Sequence, residues 1–120
     1  MNSHGNISFS WEEDIFVLIV EGAFNEEGIE VSLPLLQESV LNSTYNKWKR
    51  LEMWDSEVLA SPETINRIKF IWSWFRANGC TKTAVVISNS IQAQVIEKYS
   101  DSSTQVFLDK KKALEWLRNT

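Results

Sequence analysis

Three consecutive lysines, Lys110, Lys111 and Lys112, stand where a helix is expected to begin, directly behind Asp109. Cations at a helix N-terminus oppose the helix dipole, so the run reads either as a solvated face or as part of an anion site. Ser88, Asn89 and Ser90 close a strand-like apolar run and open the next helical segment. In an alternating α/β chain both places, together with Ser61, fall at the carboxyl edge of the sheet, where ligands of such folds bind. The chemistry on offer there is the binding of an anion such as phosphate. Cys80 has no Cys or His near it in sequence and reads as a packed thiol. His4 lies in an N-terminal tail and is no metal ligand by itself. Glu12-Glu13 and Glu26-Glu27 sit at a turn and a helix start, where capping and solubility explain them. No nucleophile–base pair and no metal-ligand set emerges, so neither an enzyme nor a cofactor is expected.

The aromatic residues carry a second kind of chemistry, recognition. Between Ser61 and Asn78, at about 100° per residue, Ile65, Ile68, Ile71, Trp72 and Phe75 gather on one side of a helix. Phe70 and Trp74, one turn apart, fall on roughly the other side. That placement predicts exposed aromatics and a contact with a second copy of the chain, or failing that with another protein. Trp48 and Trp54 bracket a strand that carries Lys49, Arg50 and Glu52, more charge than a buried parallel strand bears. Either those charges pair with one another, or the strand is partly open and the two tryptophans line a small apolar pocket.

Strands and helices must alternate to hold these groups. Ile7 to Trp11 alternates apolar and polar, Glu12 to Asp14 turns, and Ile15 to Val20 returns as a buried strand, which makes a hairpin. Asn25 caps a helix with Ile29, Leu33, Leu36 and Val40 inward. Pro34 inside it demands a kink, or a restart from a Ser32 cap. Trp48 to Trp54 is a strand. Ser61 caps the main helix, with Pro62 at its first position and Asn78-Gly79 closing it. Thr83 to Ser88 is a central parallel strand, Asn89 or Ser90 starts a helix with Ile91, Val95 and Tyr99 inward, and Val106 to Leu108 is the last strand. Asp109 caps a final helix that packs Ala113, Leu114 and Leu117. The order ββαβαβαβα predicts an α/β fold with a mostly parallel sheet of four or five strands flanked by helices.

Composition limits the function classes. A chain of 120 residues with 43% hydrophobic and 23% charged residues has the profile of one soluble globular domain, with residues 1–6 as a flexible tail. Its net charge of −4 argues against a nucleic-acid partner, which requires a basic footprint. The run Ile15 to Val20 is too short to span a bilayer, and no signal peptide is expected from Met1 to Asn6. A single cysteine fits a reducing cytoplasm.

Several segments resemble one family in order. These are Gly22-Ala23-Phe24-Asn25-Glu26-Glu27-Gly28, Trp54-Asp55 through Ser61-Pro62-Glu63, Asn78-Gly79-Cys80, Val86-Ile87-Ser88, Phe107-Leu108-Asp109 and Ala113-Leu114-Glu115-Trp116-Leu117. In element order and loop composition, over nearly the whole chain, they are similar to the STAS-like, or SpoIIAA-like, proteins, relatives of bacterial anti-sigma-factor antagonists. The resemblance implies regulation through binding rather than catalysis. It also implies a phosphorylatable serine at the start of the helix after the third strand, a place that Ser61 occupies. Antagonists carry an Asp-Ser-Ser-Gly-like segment there; this chain reads Leu59-Ala60-Ser61-Pro62-Glu63, and an ordinary helix cap explains Ser61 as well. The expected function is a regulatory or protein-binding module that self-associates through Phe70 and Trp74. The alternative is a carrier of a small apolar or anionic ligand, because the STAS-like sheet is also similar to that of CRAL-TRIO lipid-binding domains.

Overall fold

The computed structural model describes residues 5–23, 26–58 and 62–119. Along them the chain runs β1 (Asn6–Glu12), β2 (Ile15–Glu21), α1 (Glu26–Leu41), β3 (Trp48–Trp54), α2 (Pro62–Ala77), β4 (Cys80–Val86), α3 (Ser90–Tyr99), β5 (Thr104–Phe107) and α4 (Lys110–Arg118). The five strands form one sheet whose spatial order follows the chain. The β1–β2 hairpin is antiparallel and the remaining pairs are parallel.

That order dictates the layers. Right-handed crossovers that always advance in one direction put every crossover helix on one face of the sheet. Accordingly Ile29, Leu36 and Val40 of α1, Ile71, Trp72 and Phe75 of α2, and Ile96 of α3 share one core with Phe16, Leu18, Val20, Trp48, Trp54 and Val85 of the sheet. Among the described elements, α4 alone covers the other face, where Ala113 and Leu117 pack on Ile15, Val17, Leu51 and Ala84. Among the described residues no helix is long and apolar enough to cross a membrane.

Three expectations about elements change. Helix α1 continues through Pro34 without a restart. Ser32 is interior, its hydroxyl donating to Gly28 O at 3.0 Å, and Pro34 is exposed, so water can serve the carbonyl that its missing N–H leaves bare. The expected Asn25 cap lies outside the described residues. Strand β4 begins at Cys80 and ends at Val86 rather than spanning Thr83 to Ser88. The inward face of α3 is Gln92 and Ile96, whereas Ile91 is 60% exposed. Asn89 sets this phase by accepting from Gln92 N at 2.9 Å, and the Gln92 side chain then takes the buried position. Of the expected inward residues, Val95 is half-buried, and the Tyr99 side chain is not among those described.

One lysine clamps α4 to the sheet. Lys82 Nζ donates to Trp116 O at 2.9 Å and stands 3.9 Å from the centre of the Trp116 ring. Burial, and after it the charge of Lys49, hold the Lys82 pKa below its ordinary value. The unfolded chain therefore binds this proton more tightly than the folded one. The site's contribution to stability rises as pH passes upward through the folded pKa, and levels off at the unfolded value. Urea titrations across the alkaline range should show this gain in the wild type and a flatter profile in Lys82→Met.

Candidate functional site

Strand β3 lies at the middle of the sheet and alternates its side chains between two covered faces. Lys49, Leu51 and Met53 point toward α4, while Trp48, Arg50, Glu52 and Trp54 point under the crossover helices. Arg50 and Glu52 are thus two residues apart on one buried face, 1% and 5% exposed. Arg50 Nε sits 2.8 Å from Glu52 Oε2. The contact is ionic without good hydrogen-bond alignment, since Arg50 Nε has no aligned acceptor. Glu52 Oε1 accepts from Trp54 Nε1 at 3.0 Å. The guanidinium lies 4.5 Å from the Phe75 ring centre and 5.3 Å from that of Trp72, and Nη1 is 3.7 Å from Cys80 Sγ. The aromatic faces offset some of the desolvation of the cation.

This pair decides between the two readings of the strand: its buried charges are matched to each other. A cavity of about 50 Å³ nevertheless lies beside them, between the sheet and helices α1 and α2. Its wall is apolar, including Ile29, Ile68, Trp54 and Trp72, and is interrupted by Glu52 and Thr64. Of the two tryptophans expected to line a pocket, Trp54 lies on the wall of this cavity and Trp48 does not. Trp48 is fully buried elsewhere, edge-on to Phe16 and Phe75, with Nε1 donating to Asn78 O at 2.9 Å. Six residues of strand separate the two by roughly 20 Å, too far to line one small cavity.

On α2, Phe70 is 58% exposed. Trp74 is half-buried, its ring 5.8 Å from that of Phe75 and packed against the core. The two do not form an evenly exposed pair: Phe70 stands out and Trp74 leans inward.

At the carboxyl edge the structure closes a loop on itself. Ser88 Oγ donates to Trp54 O at 2.8 Å, and Asn89 Nδ2 reaches Ser56 O at 3.5 Å. Gln92 accepts from Ser88 N and donates to Asp55 O and Val58 O at 2.7 and 3.0 Å. Asp55 in turn accepts from Gly22 N and Glu57 N at 3.0 and 2.9 Å. The polar groups of Ser88 and Asn89 are thereby engaged within the protein. Ser90, Lys110, Lys111 and Lys112 are exposed, and Asp109 caps α4 by accepting from Lys111 N at 2.7 Å. Ser61 and His4 lie outside the described residues. Cys80 is buried, as a packed thiol would be. Gln92 and Asp55, neither of them a residue expected at this edge, hold the loop together. The spacing Asn89-x-x-Gln92 matches a helix-capping box, a signal that was available.

No protein-family model matches this sequence, and no curated protein is significantly similar to it. Solved structures are similar in fold. One is an uncharacterised protein of the DUF3478 family with a SpoIIAA-like fold from Shewanella loihica PV-4, 19% identical, with a TM-score of 0.66 over 98% of this chain and 97% of that one. Another is the protein TM1081, also 19% identical, with a TM-score of 0.71 over 100% of this chain and 94% of that one. The fold is SpoIIAA-like.

Proposed function

We propose that this chain is a cytoplasmic, non-catalytic regulatory module that binds a partner protein through the outer face of α2, centred on Phe70 and flanked by Trp74. The observation that carries the reading is the 58% exposure of Phe70 on a helix that already buries Ile71, Trp72 and Phe75 on its inner side. A large aromatic left in water is an energetic handle for a partner, and aromatics dominate interface hot spots. The likeness of the sequence to anti-sigma-factor antagonists supports binding over catalysis. Of the two occupants open for this face, another protein fits better than a second copy, because the opposite flank of α1 offers the second copy a more self-complementary surface.

Phe70→Asp should leave stability within about 0.5 kcal/mol, as exposed positions do, and weaken partner binding by about 2 kcal/mol, near thirtyfold. Trp74→Ser is a poorer test, since Trp74 also packs on the core and its loss costs stability. A photoreactive phenylalanine analogue placed at position 70 in cells, with cross-linked proteins identified by mass spectrometry, checks the proposal. Cross-linking no stronger or more selective than from exposed Leu108 would count against it.

The cavity supports a second reading, retention of a small, mainly apolar molecule beneath α2. At about 50 Å³ it is well short of the roughly 150 Å³ apolar cavity that admits benzene, so a larger occupant requires α2 to move outward. Native mass spectrometry of freshly purified protein should reveal a bound mass on this reading. An unliganded protein whose melting temperature is unmoved by small apolar compounds argues for the binding module alone.

A further inference from the structure

Among the described residues, the outer edge of β1 carries few of the usual protections, its one charged side chain being Glu12 at the strand's end. It is an outer strand with β2 as its neighbour in the sheet, its seven residues pair with β2 in continuous register, and Asn6 to Glu12 contains no Lys, Arg or Pro. Natural edges are blunted by such residues, by bulges or by shortness, because their unpaired N–H and C=O groups are a template for another strand. The flank of α1 beside this edge is apolar as well. Glu30 bridges to Arg67 of α2 at 3.2 Å, which marks the side of α1 that faces α2. Ser39 accepts from Trp11 Nε1 of β1 at 3.1 Å, which marks the side above β1. Leu35, one turn before Ser39 and 54% exposed, leans to that flank, while Val31, 64% exposed, stands nearly opposite the inward Ile29, Leu36 and Val40 and points away from the sheet. Exposed Phe9 and Tyr45 adjoin the flank through their contacts with Phe16 and Trp11.

We propose that this edge is the self-association surface of the protein. Two copies pair their β1 strands antiparallel about a two-fold axis at Phe9, and the flanks of their α1 helices that carry Leu35 face each other across the seam. The strand itself selects a second copy as the occupant. With Phe9 opposite Phe9, Ser8 meets Ser10, Ile7 meets Trp11 and Asn6 meets Glu12 of the other copy. Apolar residues face apolar ones on the helix side, polar residues face polar ones on the other, an amide faces a carboxylate, and no like charges meet. A slip of one residue would turn the second copy's helices to the opposite face and separate the two α1 flanks. The surface is distinct from Phe70, so each can fail without the other.

Sedimentation velocity over a wide concentration range should show a monomer–dimer equilibrium. The variant Leu35→Glu, at an exposed position, should keep the wild-type melting curve while raising the dimer dissociation constant by at least about tenfold; Leu35→Lys should act in the same direction. Phe70→Asp should leave the dimer intact, and amides of β1 should exchange more slowly as concentration rises. A wild-type monomer throughout the range would overturn the proposal. So would a dimer indifferent to the α1 variants, or one abolished by Phe70→Asp, which would place the second copy on α2 instead.

Discussion

Replacing either Glu52 or Arg50 with alanine should cost about 3–5 kcal/mol, because each substitution strands a buried charge. Such a loss takes up much of the roughly 5–15 kcal/mol that holds a domain of this kind folded. In Glu52→Ala, Arg50 keeps, among the described residues, the thiol of Cys80 at 3.7 Å and the faces of Phe75 and Trp72, and Trp54 Nε1 loses its acceptor. In Arg50→Ala, the carboxylate retains the indole donor but no cation. The double variant Arg50→Met/Glu52→Leu should behave differently. It buries no charge, keeps similar volume, and should lie within about 1 kcal/mol of the wild type or above it, as replaced buried pairs do. Urea unfolding of the four proteins reads the cycle directly, with a coupling of several kcal/mol expected between the two sites. Additive effects, or single variants costing under about 1 kcal/mol, would show that water reaches the pair. The double variant also separates structure from ligand chemistry: Glu52 lines the cavity, so a folded protein without it reports whether any occupant needs the carboxylate.

The pairing of Arg50 with Glu52 was half legible in the sequence. A period of two places both on one face of one strand, and the bounds Trp48 to Trp54 follow from the apolar ends of the run. What a linear pattern does not contain is the strand order, and the order is what lays α2 over that face and turns the choice from an open strand to a closed ion pair. The same limit explains Trp48 and Trp54, which share a face but stand at its two ends. In α3 the periodic reading favoured the apolar Ile91, yet the contacts of Gln92 with Asp55 and Val58 come from another loop and outweigh one exposed isoleucine. Trp74 illustrates a gentler failure. Its angular position is off the core stripe, but a ring that large, one residue before Phe75, reaches back onto the core. Element order alone puts the lysines at the start of α4 and the polar loop before α3, whereas the engagement of Ser88 and Asn89 within the loop depends on contacts no spacing reveals.

Gly79→Ala should destabilise the protein far more than one added methyl group suggests. Gly79 has φ +110°, and a Cβ built there would collide with Asn46 O and stand 3.2 Å from Asn46 C and 3.0 Å from Trp48 Nε1. The first two are backbone atoms and cannot rotate away. Relief requires moving the segment before β3 or the corner between α2 and β4, and these are tied together: Trp48 N donates to Gly79 O at 2.9 Å, and Trp48 Nε1 donates to Asn78 O at 2.9 Å. Either movement lifts Trp48 from a fully buried seat against Phe16, Phe75 and Trp11. Backbone strain of about 1–3 kcal/mol and overpacking of about 1–3 kcal/mol combine to about 2–6 kcal/mol. Gly22→Ala is the matched control. Its φ of +82° carries similar strain, but its nearest contact is Gly5 Cα at 3.4 Å, an ordinary separation, so only the strain component remains. Urea melts should therefore rank Gly79→Ala well below Gly22→Ala, with a loss of near-ultraviolet circular dichroism from the Trp48 cluster in the former alone. Equal costs for the two would mean that the loop at Asn46 yields freely, and that the corner holding Trp48 is softer than its hydrogen bonds imply.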